Sequence, residues 1–220
     1  MGVPVLDRSK IAIVIPAYNE SNTIGNIIQS VSGYGTVIVV DDGSTDNTFN
    51  ESQKCGAIVV RHANNLGYDQ ALNSGFKEAK KLNFPFVITF DADGQHVASV
   101  LDIYTDCLLY KGFDLVLGRR KKSARLSEWV FKLYSKYKFG WSDPLCGMKG
   151  YNMKIYNKMG VFDSISSIGT ELATYGISNG YSYVEVDIPI LERFDNPRFY
   201  STFRSNILIL RAMIRVMKKY

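Results

Sequence analysis

The sequence predicts an α/β fold with a mostly parallel central sheet flanked by helices. Short β-branched runs bounded by Gly, Pro, Asn or Asp alternate along the chain with stretches whose apolar residues have helical spacing. A chain of 220 residues with 46% hydrophobic and 21% charged residues is enough for one compact domain with a sizeable core. Because such alternation favours right-handed β-α-β crossovers, we expect the ligand crevice beyond the carboxyl ends of the strands.

Five runs predict strands of this sheet, and a sixth run predicts a later strand. The five are residues 11–15, 36–40, 57–61, 86–90 and 114–117, and the later strand is 183–188. Helical spacing follows the first strand, recurs before the fourth, and returns after the fifth with Leu126, Trp129, Val130, Leu133 and Tyr137. No repeat or linker divides the chain, so we predict one main domain over residues 1–200 and an appended helix over 201–220.

The appended helix is predicted to be basic and amphipathic. Its apolar stripe comprises Phe203, Ile207, Leu210, Ile214 and Met217. Its basic flank comprises Arg204, Arg211, Arg215 and Lys218. Such a helix either lies in a membrane interface or packs on the domain or a second subunit, and the basic flank favours the membrane.

Composition excludes several classes of protein. The longest apolar runs are far shorter than the roughly 20 residues that cross a bilayer, and no secretory signal is recognisable, so we expect a cytoplasmic, peripherally membrane-bound protein. Three cysteines without a C-x-x-C pair argue against a disulfide framework or a zinc cage. A net charge of +5 suits phosphate-bearing partners, but no nucleic-acid motif accompanies it, and we predict no nucleic-acid binding. The sequence makes no prediction of oligomeric state.

Acidic residues follow two of the predicted strands. Asp41 and Asp42 end the second strand, and Asp91 and Asp93 follow the fourth, with Gln95 two positions on. Carboxylates crowded at one sheet edge repel one another unless a cation or hydrogen-bond donors compensate, so their co-location indicates a ligand site. Asp91, Asp93 and Gln95 offer oxygen ligands of the kind that suits Mg²⁺ or Mn²⁺. No G-x-G-x-x-G or Walker motif is present, so the sequence does not indicate a dinucleotide or P-loop site.

The segments 15–20, 40–44, 65–67 and 91–95 resemble the inverting family 2 glycosyltransferases of GT-A fold. The segments D-A-D-G-Q, G-R-R at 118–120 and D-P-L-C-G-M-K at 143–149 are similar to the dolichol-phosphate mannose synthase and polyprenyl-phosphate glycosyltransferase branch of that family. The resemblance spans roughly residues 10 to 195.

The resemblance implies a role for each matching residue. A UDP- or GDP-sugar would be held by a nucleotide pocket formed from Pro16, Tyr18, Glu20, Asp41 and Asp42. Asp91, Asp93 and Gln95 would hold Mg²⁺ or Mn²⁺ on the diphosphate, with Asp93 also counted as catalytic. Arg120 would meet phosphate, together with Arg119 and Lys149. Lys149 stands where relatives have Arg, which replaces a forked donor by a point charge.

The sequence is compatible with two classes of acceptor. A polyprenyl phosphate is largely ionised at neutral pH and needs no strong base, whereas a glycan hydroxyl needs a carboxylate to take its proton. By resemblance, Glu171 is the candidate for that base or for an orienting group, although a glutamate at a helix start is also favoured by the helix dipole. The basic run from Arg119 to Arg125 is either a phosphate-binding group or a solvated loop. A sugar-nucleotide nucleotidyltransferase is less favoured, because residues 16–20 are not a Gly-rich phosphate loop. A degenerate, non-enzymatic binding protein is also less favoured, because the metal ligands and Arg120 are present.

Overall fold

The computed structural model describes residues 7–94, 97–121, 125–189 and 202–220. Seven strands form one sheet in the order β3-β2-β1-β4-β6-β5-β7. The strands are β1 Ile11–Ala17, β2 Thr36–Asp41, β3 Ile58–Arg61, β4 Phe86–Thr89, β5 Leu115–Arg120, β6 Lys149–Asn152 and β7 Tyr183–Ile188. All strand pairs are parallel except those that β6 makes with β4 and β5. The predicted α/β class and mostly parallel sheet are confirmed.

Helices cover both faces of this sheet. They are α1 Ile24–Val31, α2 Thr48–Lys54, α3 Tyr68–Lys81, α4 Leu101–Leu109, α5 Leu126–Phe139, α6 Met153–Met159, α7 Glu171–Ser178 and α8 Thr202–Lys219. Side chains alternate across a strand, so β1 feeds two separate cores. Ile11, Ile13 and Ile15 pack with α1 and α4, while Ala12 and Val14 pack with α3, α6 and α7. Both faces of the central strands are therefore buried, as their unbroken apolar runs indicate.

Strand β6 was not predicted from the sequence. Its four residues, Lys-Gly-Tyr-Asn, contain no β-branched side chain and include a glycine. The strand nevertheless lies in the middle of the sheet, with Lys149 opposite Thr89 of β4. Because β6 runs against its neighbours, its first residue lies at the edge where the parallel strands end.

The predicted C-terminal helix is confirmed, but its buried face is not the predicted stripe. Ser205, Ile209, Ala212 and Val216 are buried, and they pack beside Phe131 of α5. Of the predicted stripe, Phe203, Leu210, Ile214 and Met217 are exposed. The sequence contains two apolar faces, and the one with smaller residues packs on the domain. The boundary predicted at residues 200 and 201 falls outside the described residues and stays a prediction.

Most of the predicted apolar stripe on helix α5 is also exposed to solvent. Leu126, Trp129, Leu133 and Tyr137 are exposed, whereas Phe131 points inward. Across the residues that the structure describes, no helix is both long enough and apolar enough to cross a bilayer.

Candidate active site

The loop 62–67, which follows β3, closes over Asp42 at the carboxyl end of β2. Asp42 is buried, with 4% of the residue exposed. Its carboxylate accepts hydrogen bonds from the backbone N–H groups of Leu66 at 2.9 Å and Gly67 at 2.8 Å. Nδ1 of His62 lies 2.7 Å from the same carboxylate, and Nε2 of His62 lies 2.8 Å from Oγ of Ser74. Asp42 therefore fixes the loop 62–67 to the sheet edge.

Asp41 lies beside it in a different environment. One carboxylate oxygen accepts the Ser44 N–H at 3.0 Å. The other is buried without a hydrogen bond, although Nε of Arg61 lies 3.2 Å away as an ion partner. The Arg61 guanidinium thus offsets part of the cost of burying this carboxylate, which is fully enclosed by the protein.

A cavity of about 540 Å³ opens between these elements. Its lining comprises Tyr18, Gly43, Ser44, Thr45, Arg61, His62, Ala63, Asn64 and Asn65. Gly43 has a φ of +74°, and a Cβ at this position would come within 2.4 Å of the backbone of Asn64. Only glycine allows the loop 62–67 to lie this close. Of the five residues predicted to bind a nucleotide, Tyr18 lines the resulting cavity.

Three further predicted nucleotide residues lie at the same edge. Pro16 is half-buried in β1, opposite Val40 of β2, while Tyr18 is exposed on the cavity wall. Glu20 is buried, and its carboxylate accepts a hydrogen bond from the hydroxyl of Thr23 at 2.8 Å. The fold brings Pro16, Tyr18, Asp41 and Asp42 together, and Glu20 supports the turn beneath them.

The predicted metal ligands follow β4. Asp91 and Asp93 are both half-buried in the turn after this strand, and Gln95 lies outside the described residues. The hydroxyl of Tyr68 lies 3.2 Å from a carboxylate oxygen of Asp91 and donates a hydrogen bond to it. Among the described residues, no group of three or more His, Cys, Asp and Glu side chains is arranged as a metal cluster. Two carboxylates at the crevice edge still fit Mg²⁺ or Mn²⁺, since these ions are commonly held by one or two carboxylates plus a diphosphate.

The segment before β6 touches Asp91 directly. A Cβ built on Gly147 would lie 2.0 Å from one carboxylate oxygen of Asp91, so the backbone of this segment lies against the acidic turn. Two residues later, Lys149 is fully buried, and its Nζ donates to the carbonyl of Gly169 at 3.0 Å. Burial lowers the pKa of Lys149. The ammonium group is thus held inside the protein between the acidic turn and the loop before α7.

Arg120 at the end of β5 is tied to Asp143. Its Nε and Nη2 donate to the two carboxylate oxygens of Asp143 at 2.8 and 2.9 Å, and its backbone N–H donates to one of them. Nζ of Lys132 lies 3.2 Å from the same carboxylate, and Glu128 lies 3.7 Å from Nη2 of Arg120. Burial alone would raise the pKa of Asp143, but the hydrogen bonds and charge of Arg120 hold it below its usual value.

The other cations of the run from Arg119 to Arg125 have different surroundings. Arg119 pairs with Asp187 at 2.7 Å on the surface, and Arg125 pairs with Glu128 at 2.9 Å. Lys121 is exposed, and Lys122 lies outside the described residues. A role for Arg119, Arg120 and Lys149 toward phosphate stays a prediction, with Arg120 already oriented by a buried partner.

Glu171 at the start of α7 is buried and fully engaged. Its carboxylate accepts hydrogen bonds from the N–H and hydroxyl of Ser164 and from the N–H of Ile165. Lys219 and Tyr220, at the end of α8, also donate to it. Burial would raise its pKa, but the bonds from Lys219 and Ser164 lower it below the usual value. In this structure Glu171 anchors the last turn of α8, and a role as base stays a prediction.

Several residues of the site were not assigned from the sequence. His62 and Tyr68 flank the Asn-Leu-Gly segment that carries part of the resemblance, and this adjacency is the signal that could have identified them. Asp143 begins the D-P-L-C-G-M-K segment at residues 143–149, yet nothing in the sequence indicates that it binds Arg120. Asp69 accepts the backbone N–H groups of Ile168 and Gly169, at 3.2 and 2.6 Å, and so joins α3 to the loop before α7.

Comparison with known proteins gives a consistent result. The sequence model of "Glycosyl transferase family 2" matches residues 12–160. A UDP-N-acetylglucosamine–dolichyl-phosphate N-acetylglucosaminyltransferase of Methanococcus voltae is 31% identical over 52% of this chain and 53% of that protein. The chain therefore spans about half the length of this relative.

Two other similarities extend over more of the chain. A polyprenol monophosphomannose synthase of Mycolicibacterium smegmatis is 26% identical over 82% of this chain and 77% of that protein. The crystal structure of glucosyl-3-phosphoglycerate synthase from Mycobacterium tuberculosis, in complex with Mn²⁺, UDP and glucosyl-3-phosphoglycerate, superposes with a TM-score of 0.72. It is 19% identical and covers 94% of this chain and 78% of that one, which confirms the predicted GT-A fold. Because the family model covers most of the chain, the protein belongs to glycosyl transferase family 2.

Proposed function

We propose that this protein transfers a sugar from a UDP- or GDP-sugar to a polyprenyl phosphate, in a reaction that depends on Mg²⁺ or Mn²⁺. The observation that carries the choice of acceptor is the state of Glu171, whose buried carboxylate already accepts hydrogen bonds from Ser164, Ile165, Lys219 and Tyr220. A carboxylate so occupied is poorly placed to remove a proton, and an ionised phosphate acceptor needs no strong base. The names of the dolichyl-phosphate and polyprenol relatives support the same acceptor class.

The nucleotide would occupy the cavity beside Tyr18. Arg61, the ion partner of the buried Asp41, lines this cavity, and Asp42 keeps the loop 62–67 in place as the cavity wall. Asp91 and Asp93, together with the predicted Gln95, would hold the metal. A bound divalent ion would neutralise the charge that grows on the leaving diphosphate.

The chain's own residues would position the acceptor. Asp143 holds the Arg120 guanidinium in one orientation, and a fixed planar donor is suited to a phosphate. Lys149 adds a buried positive charge near Asp91. These cations would orient an acceptor phosphate for attack without a protein base.

We also propose that the protein works at the cytoplasmic face of a membrane, with α8 as a contact. A polyprenyl phosphate resides in a bilayer, and α8 exposes apolar side chains flanked by Arg204, Arg211, Arg215 and Lys218. An amphipathic helix with this composition is attracted to anionic lipid.

The test of the reaction is a transfer assay in detergent micelles. Purified protein is incubated with Mn²⁺, a polyprenyl phosphate and labelled UDP-glucose, UDP-N-acetylglucosamine or GDP-mannose, and label entering the organic phase is counted. We expect lipid-linked label from one donor, and its loss in Asp93→Ala. Metal-dependent nucleotide release only with a saccharide acceptor would instead support the alternative, in which a glycan hydroxyl is glycosylated.

A matched pair of variants tests the state of Glu171. Glu171→Gln removes the ionised carboxylate and its ion pair with Lys219, whereas Lys219→Gln removes the same ion pair and keeps the carboxylate. For a phosphate acceptor we expect both variants to retain transfer to a similar degree. A loss of about 100-fold or more in Glu171→Gln alone would identify a general base, since such catalysis contributes about 10²–10⁴-fold.

A further inference from the structure

Helix α5 carries an apolar stripe for which the site has no use. Leu126, Trp129, Leu133 and Tyr137 recur at intervals of three and four residues, so they lie along one side of the helix, and all four are exposed. The buried residues Ser127, Phe131 and Ser135 lie on the other side of α5. Burial in the core therefore does not explain the stripe.

Helix α8 packs against α5 and has an exposed apolar stripe of its own. Ile209, Ala212 and Val216 cluster with Phe131 of α5, and Oδ1 of Asn206 accepts the Ser127 N–H at 3.2 Å. The exposed stripe on α8 comprises Phe203, Leu210, Ile214 and Met217. Two helices in contact thus each present large apolar side chains to solvent.

The exposed charges on this helix pair have a single sign. The only acidic residue in either helix is Glu128, which is buried against Arg125 and Arg120. The exposed cations are Lys136, Lys138, Arg204, Arg211, Arg215, Lys218 and Lys219. Apolar stripes on two helices whose exposed charges are all positive are complementary to a surface that is apolar within and negatively charged at its rim.

We propose that α5 and α8 together bind the surface of an anionic lipid bilayer. The apolar stripes enter the interface and the cations contact lipid phosphates, with Trp129 and Tyr137 at the headgroup level that such side chains prefer. The membrane contact is a pair of helices and not α8 alone.

The contact also has a direct connection with the predicted acceptor site. Nζ of Lys132, on α5, donates to the backbone carbonyl of Arg120 at 3.3 Å and pairs with Asp143. A bilayer bound by α5 would therefore lie close to the cation proposed to meet the acceptor phosphate. This part of the inference rests on the proposed function, whereas the binding itself does not.

Vesicle co-sedimentation of the intact protein tests the proposal. The probes are vesicles of phosphatidylcholine alone or with roughly 30% phosphatidylglycerol, without polyprenyl phosphate. The α5 variant is Trp129→Gln/Leu133→Gln, the α8 variant is Ile214→Gln/Met217→Gln, and the control is Ile103→Gln on α4. Ile103 is 47% exposed and Leu133 49%, so the control removes an apolar side chain of similar exposure elsewhere.

We expect wild type and Ile103→Gln to bind the anionic vesicles, and each double variant to bind at least about 10-fold more weakly, since two apolar side chains leave the interface. Circular dichroism checks that the variants are folded. Absence of wild-type binding, or an α5 variant that binds like Ile103→Gln, would overturn the proposal. Concentration-dependent dimers that the α5 variant abolishes would also overturn it, in favour of a second copy of the chain. Transfer in detergent micelles stays intact if only the membrane contact is wrong.

Discussion

Asp91 is held in place by two residues from distant parts of the chain. The hydroxyl of Tyr68, at the start of α3, donates to its carboxylate at 3.2 Å, and the backbone at Gly147 lies against the same group. A ligand carboxylate that is oriented before metal arrives loses less conformational freedom on binding. Residues that orient a metal ligand in this way commonly affect metal affinity although they do not touch the ion.

We predict that Tyr68→Phe weakens Mn²⁺ binding by about 2- to 10-fold, the equivalent of one hydrogen bond of about 0.5–1.5 kcal/mol. Titration of the protein with Mn²⁺ in the presence of UDP, followed by electron paramagnetic resonance, measures the change. Tyr34→Phe is the matched control, because the Tyr34 hydroxyl lies 3.3 Å from a carboxylate oxygen of Asp102, away from the site. Equal affinities in the two variants would show that Tyr68 does not orient Asp91.

The sequence also predicted that these acidic residues follow the ends of parallel strands, but not which partners bind them. Asp41, Asp42, Asp91 and Asp93 lie at one sheet edge as predicted, because the edge follows from strand order. The pairing of Arg120 with Asp143 could not be predicted, because it joins residues 23 apart through the antiparallel arrangement around β6.

Helix α8 shows how an element can have two faces that the sequence alone does not rank. Both its stripes have helical spacing, and hydrophobicity favours the stripe with Phe203, Leu210, Ile214 and Met217. The structure buries the stripe with Ser205 and Ala212, whose small side chains allow α8 and its neighbours to approach closely. Ile209 and Val216 are the large apolar side chains buried on that side. Close packing determines which face of α8 is buried, and the spacing of apolar residues in the sequence does not show this.

The orientation predicts different costs for two adjacent residues. Ile209 is 3% exposed and Leu210 is 37% exposed. Ile209→Ala should weaken the docking of α8 by about 2–4 kcal/mol, the usual cost of deleting a buried side chain of this size. Leu210→Ala should cost less than about 1 kcal/mol. Amide hydrogen exchange of α8 measures both, and equal protection in the two variants would contradict the packing described.

Strand β6 is the element that the sequence could not predict. A four-residue segment with a lysine, a glycine and an asparagine has little preference for a strand. It is ordered by β4 and β5, which lie on either side of it and bond to it. Tertiary pairing, and not local propensity, forms this strand.

At the scale of the whole molecule, the half-buried carboxyl group of Asp69 makes stability depend on pH. Burial and the neighbouring Asp163 raise the pKa of Asp69 to about 6. In the unfolded chain an aspartate titrates near pH 4. The folded protein therefore holds this proton more tightly than the unfolded chain does, so the free energy of unfolding should fall as pH rises from about 4 to about 6.

Asp69→Asn should remove this part of the pH dependence. A shift of about two pH units corresponds to at most about 3 kcal/mol, and the variant retains an oxygen that can accept a bond from Gly169. Urea unfolding at pH 4.5 and pH 7, compared between wild type and variant, measures the difference. Asp106→Asn, at a half-buried residue of α4, serves as the control. A variant whose stability falls as steeply as that of wild type would contradict the assignment.

The fold class and the position of the site were predictable at this scale for one reason. Alternating strands and helices fix a parallel sheet, and a parallel sheet fixes the edge at which its strands end. The five predicted strands β1 to β5 are all found. The predicted later strand is β7, which pairs in parallel with β5.

The reversed direction of β6 has a consequence for how such a protein can diversify. The carboxylates of Asp41, Asp42, Asp91 and Asp93 follow strands that run toward the crevice, whereas loop 140–148 precedes a strand that runs away from it. Asp143 and Gly147 therefore reach the crevice on a segment whose length and sequence are independent of the β1, β2 and β4 ends. We predict that exchanging this one segment alters the proposed acceptor site and leaves the acidic residues after β2 and β4 in place.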